Sequence, residues 1–330
     1  MNNASPHWSI VVPVFNERES LSELVRRIDE VAAGVQAEYE VLLIDDGSTD
    51  GSWAEIQRIA AQDRRVRGIR LRRNFGKAAA LEAGFNRAAG RTVITMDADL
   101  QDDPREIPRL IAKLNEGFDV VSGWKRIRHD PWHKVLPSRI FNAMISRLTG
   151  VELHDHNCGL KAYRREVLRE VHIYGELHRF IPVLAAARGF RVAEIKVQHH
   201  PRTHGQSKYG IERFIKGFLD LLTVYFLTGY SHRPQHLLGS VGLVSLGLGA
   251  TGLLYLTLLW LLSRLTPMAE VHLHSRALFY YCIVALLFGG QMLSVGFLAE
   301  MIIAQNRQHQ PPYAIAEQTD AADDVTQTTE

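Results

Sequence analysis

Two long stretches in the last third of the chain contain no charged residue, and they restrict what the chain can fold into. They cover residues 237–262 and 277–299, and each exceeds the roughly 20 apolar residues that cross the hydrocarbon core of a bilayer. Helices buried inside a soluble protein are the alternative. Because the loop between the stretches is short, we predict a hairpin of two transmembrane helices at about 237–262 and 277–303, within a membrane region at 234–305.

Basic residues are more numerous at the ends of this hairpin than in its loop. The loop carries Arg264 and Arg276, whereas the ends carry Arg213, Lys216, Arg233 and Arg307. Cytoplasmic flanks of membrane proteins are enriched in Lys and Arg, and residues 1–8 lack the pattern of a signal peptide. We therefore predict an integral protein of the inner (plasma) membrane whose N-terminal domain and both termini are cytosolic, with a disordered tail at 306–330.

Composition excludes some classes of function and structure. The formal net charge of +2 argues against a nucleic-acid binder, and two cysteines are too few for a disulfide framework. Small residues lie one helical turn apart on both apolar stretches, Ser245 with Gly249 and Gly290 with Ser294. Such pairs permit close helix packing, and they favour a homo-oligomer.

The first hundred residues alternate between strand-like and helix-like segments. Residues 9–14, 39–44 and 92–96 are mostly apolar segments typical of strands, and residues 66–71 are expected to form another strand. Helical patterns follow, notably at 53–62 and 77–89. This alternation predicts an α/β fold with a mostly parallel sheet that is covered by helices on both faces.

Polar clusters follow three of these strands, at residues 15–17, 45–48 and 97–101. Ligands of parallel sheets bind beyond the carboxyl ends of the strands, so we expect these clusters to converge. Asp97 and Asp99 are two residues apart, which can turn both carboxylates to one side. Paired carboxylates of this kind suit Mg²⁺ or Mn²⁺ that is shared with a substrate phosphate.

Two amphipathic segments separate this region from the apolar stretches. Residues 135–148 carry apolar side chains on one helical face with arginines interspersed, which suits a helix at a membrane surface; an ordinary packed helix is the alternative. Residues 211–233 begin with a similar helix. We thus predict a cytosolic catalytic domain at 1–210, with an interface helix at 135–148, and a juxtamembrane helix at 211–233.

Six motifs in order give the chain a family resemblance. They are IVVPVFNE at 10–17, LIDDGSTD at 43–50, NFGK at 74–77, MDADLQ at 96–101, DHNCGLK at 155–161 and RTHGQSKY at 202–209. Together they resemble glycosyltransferase family 2, and specifically its polyprenyl-phosphate glycosyltransferases, the dolichol-phosphate mannose synthase group. The resemblance extends from Ser9 to about Arg307.

The resemblance implies a GT-A type fold that binds a nucleotide sugar. It places Pro13, Phe15 and Glu17 in the nucleotide pocket and implies that Asp45, with Asp46 beside it, accepts a hydrogen bond from the base. It also assigns Lys77 and Ala98 to the donor site, and Asp97, Asp99 and Gln101 to the metal. Simpler roles stay open, since Pro13 can merely end a strand and Asp45 or Asp46 can merely cap a helix.

Basic residues are the candidates for phosphate binding. Arg202 and Lys208, with Ser207 between them, can close over the donor diphosphate and stabilise the departing nucleotide; attraction to lipid headgroups is the alternative. Arg126 is our candidate for the donor phosphate and Arg139 for the acceptor phosphate.

Asp155 matches the carboxylate that the family uses in catalysis. A lipid monophosphate is mostly dianionic near pH 7 and scarcely needs a general base, so Asp155 can instead orient the acceptor or support a positively charged sugar. A loop aspartate that caps local backbone is the simpler alternative. Cys158 is expected to be a small packing residue.

These expectations combine into one function. The chain is expected to transfer a single sugar, with inversion, from a nucleotide-diphosphate sugar to a polyprenyl phosphate of the undecaprenyl or dolichyl type. A UDP-sugar is favoured as donor and GDP-mannose is second. The alternatives are a processive polysaccharide synthase and a non-catalytic membrane scaffold that retains the nucleotide-binding fold.

Overall fold

The computed structural model describes residues 7–126, 132–171, 173, 175–200, 220–221, 223–225, 234–266 and 272–306. The chain divides into two compact units, Met1–Thr228 and Gly229–Glu330. The first unit contains the sheet and its helices, and the second contains the two long apolar helices.

A seven-stranded mixed sheet forms the centre of the first unit. Its strands are β1 (Trp8–Val14), β2 (Tyr39–Asp45), β3 (Val66–Arg70), β4 (Thr92–Thr95), β5 (Val120–Trp124), β6 (Lys161–Arg164) and β7 (Val192–Lys196), in the spatial order β3-β2-β1-β4-β6-β5-β7. Only β6 runs antiparallel to its neighbours, β4 and β5. The predicted α/β class with a mostly parallel sheet is therefore confirmed.

Helices cover both faces of this sheet. They are α1 (Arg18–Gly34), α2 (Ser52–Gln62), α3 (Lys77–Phe85), α4 (Ile107–Asn115), α5 (Trp132–Thr149), α6 (Arg165–Glu170) and α7 (Ile181–Ala187), with short 3-10 helices at Pro104–Glu106 and Leu177–Phe180. One core layer contains Leu24 of α1 and Leu110 of α4, and the other contains Leu81 of α3 and Ile181 of α7. Both faces of β1 and β2 are thus buried, which explains why these strands are mainly apolar and do not alternate between apolar and polar residues.

The reversed direction of β6 determines what lies beside the end of β4. Thr95, the last residue of β4, pairs with Lys161, the first residue of β6. Because the two strands are antiparallel, the segment that precedes β6 lies at the carboxyl end of β4. The DHNCGLK motif is thereby brought to the edge of the sheet where the nucleotide-binding clusters are expected.

A third apolar cluster joins α5 to the second half of the unit. Ile145 of α5 is buried with Phe180, Leu221 and Val224. The other side of α5 is open, and Ile140 is 62% exposed. The helix is therefore partly packed, and its predicted place at a membrane surface stays a prediction.

The second unit is an antiparallel pair of long helices, α8 (Pro234–Leu265) and α9 (Ala277–Asn306). The helices Pro234–Leu265 and Ala277–Ile302 contain 18-residue segments with mean hydropathies of 1.8 and 2.0, so both are long and apolar enough to cross a membrane. Glycines bring their backbones together, since a Cβ at Gly249 would lie 2.8 Å from the carbonyl oxygen of Cys282.

The small residues of the hairpin have unequal roles in this packing. Ser245 donates a hydrogen bond of 2.8 Å to the carbonyl oxygen of Ala285, so Ser245 and Gly249 both face the other helix. The expectation for Gly290 and Ser294 is wrong within the described hairpin, because a Cβ at Gly290 would meet nothing within 4 Å and Ser294 is exposed and bonds its own helix. Gly289 makes the close approach instead, since one residue rotates a helix position by about 100°.

Candidate active site

The loops after β1 and β2 are joined by hydrogen bonds at the carboxyl edge of the sheet. The hydroxyl of Ser48 accepts a bond of 2.9 Å from the backbone N–H of Asn16, and the side-chain oxygen of Asn16 accepts one of 2.8 Å from Thr49. Asn16 has a positive φ of 57°, a conformation that asparagine tolerates better than most residues. Two of the three predicted polar clusters therefore converge.

The two carboxylates that follow β2 have separate roles. Asp45 is fully buried, and its Oδ1 accepts a hydrogen bond of 2.9 Å from the backbone of Ser48. Its Oδ2 lies 3.2 Å from Nε of Arg70 but accepts no hydrogen bond from the described residues. Arg70 is thus the charge partner of this oxygen, and the contact of Asp45 with a base stays a prediction.

Asp46 holds the loop that leads into α3. Its carboxylate accepts backbone hydrogen bonds of 2.7 Å from Phe75 and 2.9 Å from Gly76. Burial raises the pKa of Asp46, and these two amides oppose that rise. Because α3 begins at Lys77, Asp46 fixes the position from which the Lys77 side chain extends.

Asp97 stands at the centre of the third cluster. Its Oδ1 accepts a hydrogen bond from Nζ of Lys77, and about a third of each side chain is exposed. Burial opposes ionisation of Asp97, but the positive charges of Lys77 and then Lys125 outweigh it and hold the pKa of the carboxyl well below its usual range. Asp97 is thus a carboxylate at any physiological pH.

Gly159 lies directly against this carboxylate. A Cβ at position 159 would lie 2.6 Å from Oδ2 of Asp97 and 2.9 Å from its Oδ1. The hydroxyl of Thr95 also donates a bond of 2.8 Å to the carbonyl oxygen of Gly159. The DHNCGLK segment and the end of β4 therefore form one surface, with no room for a side chain between them.

The turn after Asp97 is strained and internally bonded. Leu100 has a positive φ of 61° although it is not a glycine, which is costly and is found mostly where function requires a fixed loop. Oδ1 of Asp99 accepts a hydrogen bond of 3.2 Å from the backbone of Gln101. These features present Asp97, Asp99 and Gln101 on a single short loop.

Asp102 follows this turn and forms a buried ion pair. Its fully buried carboxylate lies 2.7 Å from Nζ of Lys125, whose side chain is 13% exposed. Burial alone would lower the pKa of Lys125, but the charge of Asp102 raises it by more than burial lowers it. The pKa of Lys125 is therefore raised overall, and the pair is ionised. Asp103 instead caps the 3-10 helix at Pro104–Glu106 through a bond of 3.0 Å from Arg105.

The residues present fit a divalent cation that shares its ligands with a substrate. Asp97 and Asp99 offer hard carboxylate oxygens, which Mg²⁺ and Mn²⁺ prefer. Within the described ranges, no group of three or more His, Cys, Asp or Glu side chains is placed to hold a metal ion. Two carboxylates alone leave most of an octahedral shell to water and phosphate oxygens, which is how Mg²⁺ binds in nucleotide sites.

Buried polar groups shape the segment from Asp155 to Lys161. Asp155 is buried, and its Oδ1 accepts a hydrogen bond of 3.1 Å from the backbone of Asn157. The ammonium group of Lys161 donates to the carbonyl oxygens of His156 and Cys158, which closes the turn. Burial lowers the pKa of Lys161, and it raises the pKa of the Cys158 thiol to about 12. Cys158 is therefore unsuited to act as a nucleophile.

His156 connects this segment to α5. The ring is fully buried, and its Nε2 lies 3.1 Å from the hydroxyl of Ser146. Burial, and then the charge of Lys161, lowers the pKa of His156 to about 3. Asn142 of α5 adds a hydrogen bond of 3.0 Å to the carbonyl oxygen of His154. Arg139 is exposed one turn before Asn142, so the predicted acceptor-phosphate residue is on the helix that is bonded to the Asp155 segment.

The other predicted residues have different positions. Pro13, Phe15 and Glu17 are half-buried at the end of β1, and Ala98 is buried beside Asp97. Arg126 is exposed, whereas its neighbour Lys125 is the cation that points inward to Asp102. Arg202, Ser207 and Lys208 lie outside the described residues.

Several residues of the site gave no clear signal in the sequence. Gly159 and Lys161 belong to the DHNCGLK motif, and Lys125 precedes Arg126, but no local pattern assigns a role to any of the three. His178 was missed altogether; it follows Leu177 in the 3-10 helix near Lys77 and Asp97, and burial, with the charge of Lys77, lowers its pKa well below the usual value. Spacing along the chain could not reveal these neighbours, because they meet only through the sheet.

Comparison with known proteins identifies the family of this chain. Residues 9–172 match the family model for glycosyl transferase family 2. The chain is 40% identical over 303 residues to a dodecaprenyl-phosphate galacturonate synthase of Rhizobium johnstonii, covering 89% of this chain and 87% of that protein. It is 39% identical over 298 residues to an undecaprenyl-phosphate 4-deoxy-4-formamido-L-arabinose transferase of Aeromonas hydrophila, with the same coverage of both chains.

The fold also matches a solved structure. Glucosyl-3-phosphoglycerate synthase from Mycobacterium tuberculosis, in complex with Mn²⁺, UDP-glucose and phosphoglyceric acid, aligns with a TM-score of 0.52 at 19% identity, covering 68% of this chain and 79% of that one. At that identity the likeness shows the GT-A type fold alone. Sequence identity to the first two relatives, and the matching family model, show that this chain belongs to glycosyltransferase family 2.

Proposed function

We propose that the protein transfers a single sugar from a nucleotide-diphosphate sugar to a polyprenyl phosphate. One structural observation carries the proposal: the reversed strand β6 brings the Asp155–Lys161 segment against Asp97. Donor-binding and acceptor-side groups thus lie together at one edge of the sheet. The relatives support the class of reaction, since both are named for sugar transfer to a polyprenyl phosphate.

The donor half of the site follows from the first four strands. We assign Asp45, at the end of β2, to the nucleotide base, and Pro13, Phe15 and Glu17 follow the end of β1 at the same edge. Asp97 and Asp99, with Gln101, would hold a divalent cation, which would neutralise charge on the diphosphate and favour its departure. Lys77 and Arg126 supply positive charge on the same side, and Arg202 and Lys208 are proposed to join them with Ser207.

The acceptor half needs little proton chemistry. A polyprenyl monophosphate is largely dianionic near pH 7, so its oxygen can attack the anomeric carbon directly. We assign Asp155 to orienting the acceptor and to stabilising positive charge on the sugar, and Arg139 to binding the acceptor phosphate. A single displacement of this kind inverts the anomeric centre, with the lipid phosphate oxygen forming the new bond as the nucleoside diphosphate departs.

The lipid acceptor explains the second unit of the chain. Two helices that are long and apolar enough to span a bilayer would retain the enzyme where its acceptor is found. The distribution of basic residues favours an inner-membrane protein with a cytosolic catalytic domain and cytosolic termini. A homo-oligomer stays a proposal that rests on the small residues of the hairpin.

A transfer assay tests the proposal. Purified protein with Mg²⁺ or Mn²⁺ and undecaprenyl phosphate is given radiolabelled UDP- and GDP-sugars, including nucleotide-linked galacturonate, 4-deoxy-4-formamido-L-arabinose, glucose and mannose. We expect one sugar per lipid, with a UDP-sugar favoured. Donor consumption without lipid-linked label would refute the proposal, and a growing chain on one lipid would indicate a processive synthase instead.

Matched variants separate catalysis from scaffolding. Asp97→Asn and Asp99→Asn should each abolish transfer without unfolding the protein, because each removes a carboxylate of the loop after β4. Asp63→Asn is the control, since its carboxylate bonds Arg65 just before β3 begins, at the edge of the sheet opposite the site. Full activity in Asp97→Asn would contradict the metal role.

A further inference from the structure

The Lys77–Asp97 ion pair occupies an oxygen that a metal ion would need. Nζ of Lys77 donates a hydrogen bond to Oδ1 of Asp97. Gly159 lies so close to the other side of the carboxylate that a Cβ at position 159 would clash with it. A cation that approaches Asp97 therefore meets an ammonium group already in place. Like charges at that separation repel, so the ion and the ammonium group compete for the carboxylate.

Lys77 also lies where a diphosphate would bind. It is the first residue of α3, whose N-cap, Gly76, provides no side-chain hydrogen bond to the first turn, and that turn contains no acidic residue. A helix N-terminus attracts anions through its unpaired N–H groups and its dipole, and it disfavours a cation. The position is therefore unfavourable for Lys77 unless an anion is near, and Asp97 supplies that anion in this structure.

From these contacts we propose that the Lys77 ammonium group exchanges its partner, leaving Asp97 for the donor diphosphate when the nucleotide binds. Nucleotide and metal then bind cooperatively. This inference rests on the proposed function. When a diphosphate arrives at the start of α3, the Lys77 ammonium moves to its oxygens and releases Oδ1 of Asp97 for the cation. About a third of both side chains is exposed, so the exchange needs no opening of the core.

The scarcity of protein ligands makes this coupling necessary. The part of the chain that the structure describes offers no set of three metal-binding side chains, and Lys77 neutralises one of the two carboxylates in the loop. Metal alone should thus bind weakly. With the nucleotide present, phosphate oxygens complete the shell and Lys77 no longer competes, so each ligand raises the affinity of the other by the same factor.

Replacement of Lys77 tests the exchange through binding rather than turnover. Mn²⁺ affinity of the full-length protein in detergent is measured by electron paramagnetic resonance, without nucleotide, and UDP and GDP affinities are measured by calorimetry without metal. In Lys77→Met we expect Mn²⁺ alone to bind about tenfold tighter and the nucleoside diphosphate to bind about tenfold weaker. These changes of opposite sign are the signature of one ammonium group that serves two sites.

Other outcomes have defined meanings. Unchanged or weaker Mn²⁺ binding in Lys77→Met would overturn the exchange, because Lys77 then does not compete with the metal. Lys113→Met, which breaks an exposed pair with Glu116, is the control and should change neither affinity. Thermal unfolding monitors folding, and Lys77→Gln serves as a second variant that keeps a polar side chain and should shift both affinities in the same directions.

The measurements also distinguish failure of the exchange from failure of the proposed function. If Asp97→Asn leaves Mn²⁺ affinity unchanged, or if neither UDP nor GDP binds the wild-type protein, the proposed function itself is contradicted. If Asp97→Asn weakens Mn²⁺ binding while Lys77→Met leaves it unchanged, only the exchange is refuted.

Discussion

Substitution of Gly159 by alanine tests whether the Asp155–Lys161 segment positions Asp97. The new Cβ would lie 2.6 Å from Oδ2 of Asp97, whereas ordinary contact begins at 3.4 Å. The carboxylate, or the segment itself, must therefore move by about 0.8 Å, and misplacements near 1 Å in a catalytic site can lower rates roughly 100-fold. The carboxylate cannot move freely, because Lys77 holds its other oxygen.

The expected result of Gly159→Ala is a large loss of transfer with a smaller loss of stability. Overpacking of this kind costs about 1–3 kcal/mol, which thermal unfolding in detergent would detect. Transfer of labelled sugar to undecaprenyl phosphate should fall about 100-fold, and Mn²⁺ affinity in the presence of nucleotide should fall with it. The loss of metal affinity distinguishes a displaced Asp97 from general destabilisation.

Gly34→Ala is the matched control for this substitution. A Cβ at Gly34 would meet nothing within 4 Å, and the residue lies at the end of α1 on the surface. It should leave activity unchanged and should not destabilise the helix, since alanine favours helices over glycine. Wild-type transfer and wild-type Mn²⁺ affinity in Gly159→Ala would refute the argument that this contact fixes the carboxylate.

Three further predictions concern buried charge, pH and the hairpin. Lys125→Met leaves the Asp102 carboxylate buried and unpaired, which should cost about 3–5 kcal/mol in thermal or chemical unfolding, and adding Asp102→Asn should recover part of that loss. The pKa of His156 is about 3 in the folded protein against an ordinary value near 6.5, so the unfolded chain alone binds this proton between those values. The free energy of unfolding should then fall with decreasing pH, by about 1.4 kcal/mol per pH unit below pH 6.5. His156→Gln should give a shallower slope of unfolding temperature against pH. An unchanged slope would contradict the lowered pKa of His156. Gly249→Leu should separate the two apolar helices and lower their resistance to unfolding by about 1–3 kcal/mol, whereas Gly247→Leu, at a position with no neighbour within 4 Å, should have little effect.

Local patterns were sufficient to predict the first half of the fold. The strands near residues 9–14, 39–44 and 92–96 are mainly apolar, because both faces of the central sheet are covered by helices, whereas the edge strand near residues 66–71 carries two exposed arginines. Their ends follow from polar residues and turns, so the polar clusters could be placed at one edge of the sheet. The helix expected at 77–89 ends at Phe85, because helical spacing of apolar residues continues beyond the last hydrogen-bonded turn.

The second half could not be predicted in the same detail. The sequence between Val120 and Lys196 gives no sign that β6 enters the sheet between β4 and β5 in the opposite direction. That choice depends on long-range pairing, and no local propensity records it. The same limit applies to Asp102, because its partner Lys125 follows a different strand and no local pattern connects the two residues.

The candidate site residues show the same difference between what local patterns predict and what long-range contacts decide. Asp97, Asp99 and Asp45 could be identified because their motifs follow strands in the predicted half, and carboxylates at strand ends have few structural explanations. Gly159 could not be assigned a role, since its importance lies in what a side chain would meet. Whether the predicted site residues bind donor, acceptor or metal stays a prediction that the variants above address.

Under the proposed function, the single antiparallel strand would allow one sheet to serve two unlike substrates. Strands β1 to β4 are parallel to one another, and their carboxyl ends gather the carboxylates and the Lys77 helix, which suits a charged, soluble donor. A further parallel strand beside β4 would begin at the far edge and would bring no preceding loop to this site. Because β6 is reversed, its preceding loop reaches Asp97 and also contacts α5 through His154 and His156. The exposed side of α5 carries Arg139 and Ile140, a cation beside an apolar side chain, and these complement the anionic head and the apolar tail of a lipid phosphate. Reversal of one strand thus connects the donor carboxylates to the helix that we assign to the acceptor.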